Sequence, residues 1–169
     1  FSWLTTVHAP TQYPEQSALL LAKQKEMRRV LFRGIDFSSV RRVLDFGCGF
    51  GTDVVALASQ HPHLSAEGYT LSSGQAKCAN DLIRDRGLED RVAVYQRDSS
   101  KDEFPGEYGV VFGFEVAHYI KDKETLFSNI DRHLEDGGFV VLADFIARTV
   151  SEIAHDETSS YVATCAQWD

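Results

Sequence analysis

Short apolar runs rich in β-branched and aromatic residues alternate along this chain with longer stretches whose apolar positions fall three and four residues apart. The runs predict strands over 41–46, 65–70, 92–97, 108–114 and 139–145, and the longer stretches predict helices over 52–60, 73–85 and 123–134. Ahead of them, Glu15 to Phe32 carries apolar residues at 20, 27, 30 and 31 before Gly34, which fits an amphipathic helix with Pro14 in its first turn. Ser72-x-x-Gln75 reads as a capping box opening the second of the three later helices, and Asp136-Gly137-Gly138 as the glycine stop of the third. Strand and helix alternating at this spacing imply an α/β fold, a doubly wound and mostly parallel sheet of right-handed βαβ units. Such sheets bind ligands at the carboxyl ends of their strands, which directs attention to the loops 46–52, 70–75, 98–105, 114–122 and 145–160.

Composition narrows the partners. With 169 residues, 43% of them hydrophobic and 25% charged, the chain is expected to form one well-buried core over 39–169, preceded by a helical lead-in or lid over 1–38. A net charge of -8 without a basic stripe disfavours nucleic acid. Apolar runs such as Phe139-Val140-Val141-Leu142-Ala143 fall far short of a membrane span, and no leader is seen at the start, so a cytoplasmic location is expected. Cys48, Cys78 and Cys165 form no Cys-x-x-Cys pair and are read as reduced, partly buried side chains. Thr164-x-x-Gln167 reads as a second capping box, starting a helix that Asp169 leaves unfinished. Together with the opening on Phe1, it implies a piece of a longer protein, truncated before the last strands of its sheet.

The segment Arg42-Val43-Leu44-Asp45-Phe46-Gly47-Cys48-Gly49-Phe50-Gly51-Thr52-Asp53 carries the chemistry. It reads as a buried strand running into a glycine-rich turn and a helix, and three glycines on alternate positions let backbone approach a ligand. A dinucleotide pyrophosphate wants Gly-x-Gly-x-x-Gly, whereas Thr52 stands where the third glycine would fall. Asp45 at the strand's end suits a cation better than a phosphate. These features favour the amino-acid half of S-adenosyl-L-methionine (SAM) and place a dehydrogenase last.

Leu44-Asp45-Phe46-Gly47-Cys48-Gly49-Phe50-Gly51 resembles motif I of the class I SAM-dependent methyltransferases, a Rossmann-like family, and the likeness extends over roughly residues 40–147. Gly68-Tyr69-Thr70-Leu71-Ser72-x-x-Gln75 resembles the second-strand signature of the branch that includes cyclopropane-fatty-acid and mycolic-acid synthases. There Thr, Leu and Gln contact the ligand, with the Gln near the ribose. Most class I enzymes carry a carboxylate at the position of Thr70, and Glu67, three residues earlier, is the substitute at hand. Asp98-Ser99 resembles the adenine-clamping acid and its neighbour, and Phe114-Glu115 the segment lining the methyl-transfer site. Longer runs are similar to the O-methyltransferase domains of modular polyketide synthases, among them Arg97-Asp98-Ser99-Ser100-Lys101-Asp102-Glu103-Phe104-Pro105-Gly106 and Glu157-Thr158-Ser159-Ser160-Tyr161.

The resemblance implies SAM as methyl donor, with S-adenosyl-L-homocysteine as product, held by Asp45, Gly47, Gly49, Gly51, Thr70, Leu71, Gln75, Asp98, Ser99 and Phe114. It also implies a β-hydroxyl or enolised β-keto acceptor on the phosphopantetheine arm of an acyl carrier protein, with neighbouring polyketide synthase domains as further partners. Rival readings are carbon methylation or cyclopropanation, and a non-catalytic SAM-binding domain. Methylating an alkyl hydroxyl calls for a general base. His118, just past the fourth predicted strand, is the first candidate, with Glu157 as the carboxylate that orients it and Asp144 and His155 in reserve. No catalytic metal is expected, since His61-Pro62-His63 lies at the opposite end of the sheet and the other histidines show no ligand spacing.

Overall fold

The computed structural model describes residues 14–144 and 162–167. Two compact units divide at residue 35. The first contains helix α1 (Pro14–Leu31), on which Met27 and Val30, two residues of the expected apolar stripe, are exposed.

The second unit, 36–169, is the α/β sheet. In chain order it runs β1 (Arg42–Asp45), α2 (Thr52–Gln60), β2 (Ser65–Thr70), α3 (Ser73–Asp85), β3 (Val92–Gln96), β4 (Tyr108–Phe114), a 3-10 turn (Ala117–Tyr119), α4 (Lys123–His133), β5 (Leu134–Asp144) and β6 (Val162–Gln167). The strands lie in the order β3-β2-β1-β4-β5-β6. The first five are parallel and β6 is antiparallel to β5. Because β2 and β3 lie on one side of β1 and β4 and β5 on the other, right-handed crossovers put α2 and α3 on one face and α4 on the opposite one. The order therefore reverses between β1 and β4, and their carboxyl ends open a crevice.

Alternate residues of the strands serve the two faces. Leu44, Phe46, Tyr69, Phe104, Tyr108 and Val140 cluster with Leu126 and Ile130 of α4. The central strand β4, Tyr-Gly-Val-Val-Phe-Gly-Phe, is buried over its first six residues, as a strand covered on both faces must be. Helix entries follow the sequence. Ser72 accepts from the Gln75 N–H at 3.3 Å, and Asp122 accepts from the Thr125 N–H at 2.9 Å. At the other end of α2 the guanidinium of Arg91 donates to the carbonyls of Ala58 (2.7 Å) and Leu64 (2.9 Å), satisfying acceptors that the helix end and the following turn leave over.

Three expectations are corrected. Thr164-x-x-Gln167 does not start a helix: 162–167 is strand β6, paired from Phe139↔Gln167 to Asp144↔Val162. The outer edge of β5 offers a row of backbone donors and acceptors, and pairing them outweighs a local cap signal. The last long helix stops at His133, before the glycines. Gly137, with φ of 73°, instead lies within the irregular start of β5, where the register shifts between Tyr108 and Val110. Glu67 is no ribose ligand in this arrangement. It is held by Arg42 Nη2 at 2.8 Å and by the Tyr108 hydroxyl, and Arg42 lies over the Tyr108 ring.

Among the described residues no helix is long and apolar enough to cross a membrane. Cys48 is buried and Cys78 exposed. Replacing Arg91 by Ala is expected to cost about 1.5–3 kcal/mol, the range for hydrogen bonds made by a charged group. Denaturant unfolding of the variant checks this, and an unchanged midpoint would show that water serves those carbonyls equally well.

Candidate active site at the sheet switch point

The turn after β1 is fixed by backbone and side-chain bonds together. Phe46 N–H donates to Phe112 O at 2.9 Å and Cys48 N–H to Tyr69 O at 2.8 Å, tying the turn to both neighbouring strands. Asp45, only 3% exposed, accepts from the Gly47 N–H at 3.0 Å. Gly49 and Gly51 take positive φ values of 52° and 72°, and a Cβ on Gly47 would collide with the Val116 side chain. Gly51 is also the N-cap of α2, so Asp45 shapes the turn without capping that helix.

This turn borders a cavity of about 630 Å³ at the carboxyl ends of the strands. Of the residues expected to hold a cofactor, Gly47, Gly49, Thr70, Leu71, Gln75, Asp98 and Ser99 line it. Asp45, Gly51 and Phe114 are not among the lining residues; Asp45 precedes Phe46 and Gly47 in the chain, and these two do line it. Thr70 donates its hydroxyl to Gln75 Oε1 at 2.7 Å, which fixes the amide so that its NH2 is the donor left for a ligand. Asp98 folds the loop after β3: its carboxylate accepts from Ser100 N–H (3.1 Å) and Oγ (2.6 Å) and pairs with Lys101 Nζ at 2.8 Å. Lys101 and Ser100 hold its pKa below the ordinary aspartate value. Ser99 Oγ donates to Phe46 O at 2.8 Å, locking this loop to the glycine turn.

Beyond β4 the chain turns at Glu115, whose φ of 53° makes it the non-glycine residue of positive φ among those described, a conformation costing about 1–3 kcal/mol. Glu115, Val116, Tyr119 and Ile120 line the other side of the cavity. The following 3-10 turn brings His118 against the end of β5. Its Nδ1 meets Asp144 Oδ1, and its backbone N–H donates to Asp144 Oδ2 at 3.2 Å. The carboxylate that faces the expected base is thus Asp144, the sequence's reserve; Glu157 and His155 lie outside the described residues. An ionised carboxylate only accepts, so Nδ1 carries a hydrogen toward Asp144 and Nε2 is the ring nitrogen that this contact leaves over. His61 and His63 lie elsewhere, around Phe37, with His63 Nε2 2.9 Å from Phe37 O. Among the described residues no group of His, Cys, Asp or Glu is arranged to hold a metal ion.

Comparison with known proteins places this geometry. Residues 44–140, more than half of the chain, match the family described as Methyltransferase domain. The chain belongs to that methyltransferase family. Polyketide synthase ThaQ of Burkholderia thailandensis is 42% identical over 168 residues, 99% of this chain and 8% of that protein. Among solved structures, the StiE O-MT is 52% identical with a TM-score of 0.83, over 88% of this chain and 53% of that one. The O-methyltransferase from a trans-AT PKS multienzyme of Brevibacillus brevis, solved with S-adenosyl-L-homocysteine, is 42% identical with a TM-score of 0.84, over 89% of this chain and 50% of that one. The methyltransferase chain described here therefore spans about half the length of those two solved domains.

Burial raises the pKa of Asp45 well above the ordinary aspartate value; Asp53 adds to this, and the Gly47 N–H opposes it. A carboxyl with a raised native pKa binds its proton more tightly folded than unfolded. The stability it contributes is complete below the unfolded carboxylate range and is lost as pH rises toward the native value. Asp45→Asn keeps an acceptor for Gly47 and removes the charge, so its stability relative to wild type is expected to increase between about pH 4 and about pH 8. Denaturation midpoints at both ends check this, and a difference independent of pH contradicts it.

Proposed function

We propose that this chain is the SAM-binding part of an O-methyltransferase domain of a polyketide synthase. It methylates a β-hydroxyl, or an enolised β-keto group, of an intermediate carried by an acyl carrier protein, in the cytoplasm among neighbouring synthase domains. The observation that carries the reading is the glycine-lined cavity at the switch point together with the His118 imidazole, backed by the Asp144 carboxylate, on the turn between the lining residues Val116 and Tyr119; His118 and Asp144 are not themselves among the lining residues. The likeness to polyketide synthase O-methyltransferases over nearly the whole chain supports the substrate class.

The donor set fits SAM. The absent Cβ of Gly49, which would face open space, leaves backbone accessible to the methionine portion, whose ammonium offsets the cost of ionising buried Asp45; the absent Cβ of Gly47 makes room for Val116. Gln75, held by Thr70, offers its NH2 to a ribose hydroxyl. Asp98 and Ser99 bound the adenine end, Asp98 with a carboxylate already kept ionised by Lys101, and Leu71 supplies apolar surface. Gly51 sets the entry of α2, and Phe114 ends β4 beside the transfer region. When bound, SAM supplies the electrophilic methyl group. His118 Nε2 takes the proton of the acceptor hydroxyl as the oxygen becomes nucleophilic, and Asp144 orients the ring and stabilises the imidazolium. Glu157 is proposed as a further carboxylate of the same mouth.

The test is mass spectrometry of a carrier-bound 3-hydroxyacyl substrate incubated with SAM and the domain in its full protein. One added methyl, mapped to oxygen, is expected. A new carbon–carbon bond would instead assign carbon methylation, the rival suggested by Thr70-Leu71-Ser72, and tight SAM binding without turnover would assign a binding domain. His118→Ala is expected to lower kcat by about 10²-fold or more while leaving SAM affinity within about twofold. Unchanged turnover would remove His118 from the mechanism.

A further inference from the structure

Glu115 breaks a backbone rule that the other described residues keep. The other described residues at positive φ are all glycines: Gly34, Gly49, Gly51, Gly87 and Gly137. At 115 the same left-handed conformation is imposed on a residue with a Cβ, which is sterically costly, and the backbone is pinned there by a 2.7 Å bond from its N–H to Ala143 O. Glycine would make this turn without strain, so the turn does not explain the glutamate. Its side chain remains to be explained.

That side chain is exposed and lines the cavity beside Val116 and Tyr119. The other carboxylates of the lining are occupied: Asp98 by Ser100 and Lys101, Asp122 by the N–H and hydroxyl of Thr125. Among the described residues the Glu115 carboxylate accepts no hydrogen bond and pairs with no cation. It also immediately precedes the turn that carries His118, on the wall formed by 115–122, and under the methyl-transfer reading that wall belongs to the acceptor. An ionised carboxylate has acceptor capacity only, so the ligand group it selects is a hydrogen-bond donor.

We propose that Glu115 is an acceptor-binding residue of the transfer reaction: its carboxylate takes a hydroxyl or amide hydrogen of the acyl substrate and fixes that substrate's register beside His118. This rests on the methyl-transfer reading above. The strained turn places the carboxylate and the imidazole on one rigid segment, so a substrate gripped by the first is aligned with the second.

Glu115→Gly and Glu115→Gln in the full protein test it, with three readouts: unfolding midpoint, affinity for SAM and for S-adenosyl-L-homocysteine, and affinity for a carrier-bound 3-hydroxyacyl group measured with S-adenosyl-L-homocysteine present. Glu115→Gly is expected to be at least as stable as wild type, since it relieves the backbone, to keep both cofactor affinities within about twofold, and to bind the acceptor about tenfold more weakly. Glu115→Gln, which retains a carbonyl acceptor, is expected to lie between the two. Wild-type acceptor affinity in Glu115→Gly would overturn the proposal. So would a selective loss of SAM but not S-adenosyl-L-homocysteine binding, because the carboxylate would then face the sulfonium charge. Wild type that binds the acceptor and adds no methyl would count against the proposed activity alone. Failure of wild type to bind the acceptor would overturn both.

Discussion

Close approach of backbone to ligand after β1 is the constraint on which the rest of this fold depends. The turn 46–51 must pass between β2 and β4, whose carbonyls at Tyr69 and Phe112 anchor it, and beneath Val116, whose side chain fills the space a Cβ on Gly47 would need. Side chains at 47, 49 and 51 would close that passage or force a left-handed backbone on residues that resist it. Asp45 completes the turn from within the core, accepting the Gly47 N–H where no water reaches it. The cavity exists because the peptide, and not a side chain, forms this part of its wall.

Strand order turns that local bend into a site. Reversal between β1 and β4 brings the loops after β2, β3 and β4 to one mouth although they are separated by up to fifty residues in sequence. Hydrogen bonds between loops hold them in register: Ser99 to Phe46 O from the β3 loop to the glycine turn, and His118 to Asp144 from the β4 exit to the end of β5. The second of these orients the imidazole proposed as the base. A histidine on a one-turn 3-10 segment would be mobile; backed by a carboxylate at both its ring and its backbone N–H, it has one orientation.

Much of this was legible in the residues because it is local. The bounds Thr52–Gln60, Ser65–Thr70, Ser73–Asp85 and Tyr108–Phe114 agree with the hydrophobic periodicity and with the Ser72 cap, signals that lie within each element. The glycine spacing located the cavity for the same reason. What the sequence missed or held only in reserve is non-local. Asp144, a reserve candidate, faces His118 across 26 positions, and no spacing rule links them. Glu67 looks like a ligand in sequence and becomes a partner of Arg42 and Tyr108 only once β1, β2 and β4 are adjacent. The cap signal at Thr164 gives way because β5 has an edge to pair. Glu115 was legible only as part of the Phe114-Glu115 segment that resembles the lining of the methyl-transfer site; its unusual φ was not, since it accompanies the pairing of its N–H with Ala143.

The central claim is that the glycine turn forms the floor of a SAM site. Titration calorimetry of SAM and of S-adenosyl-L-homocysteine into the full domain, alongside a Gly49→Val variant, tests it most directly. Saturable binding of both molecules by the wild type, abolished or severely weakened in the variant while its unfolding remains cooperative, is the predicted result. No uptake of either molecule by the wild type, or undiminished affinity in the variant, would contradict the account.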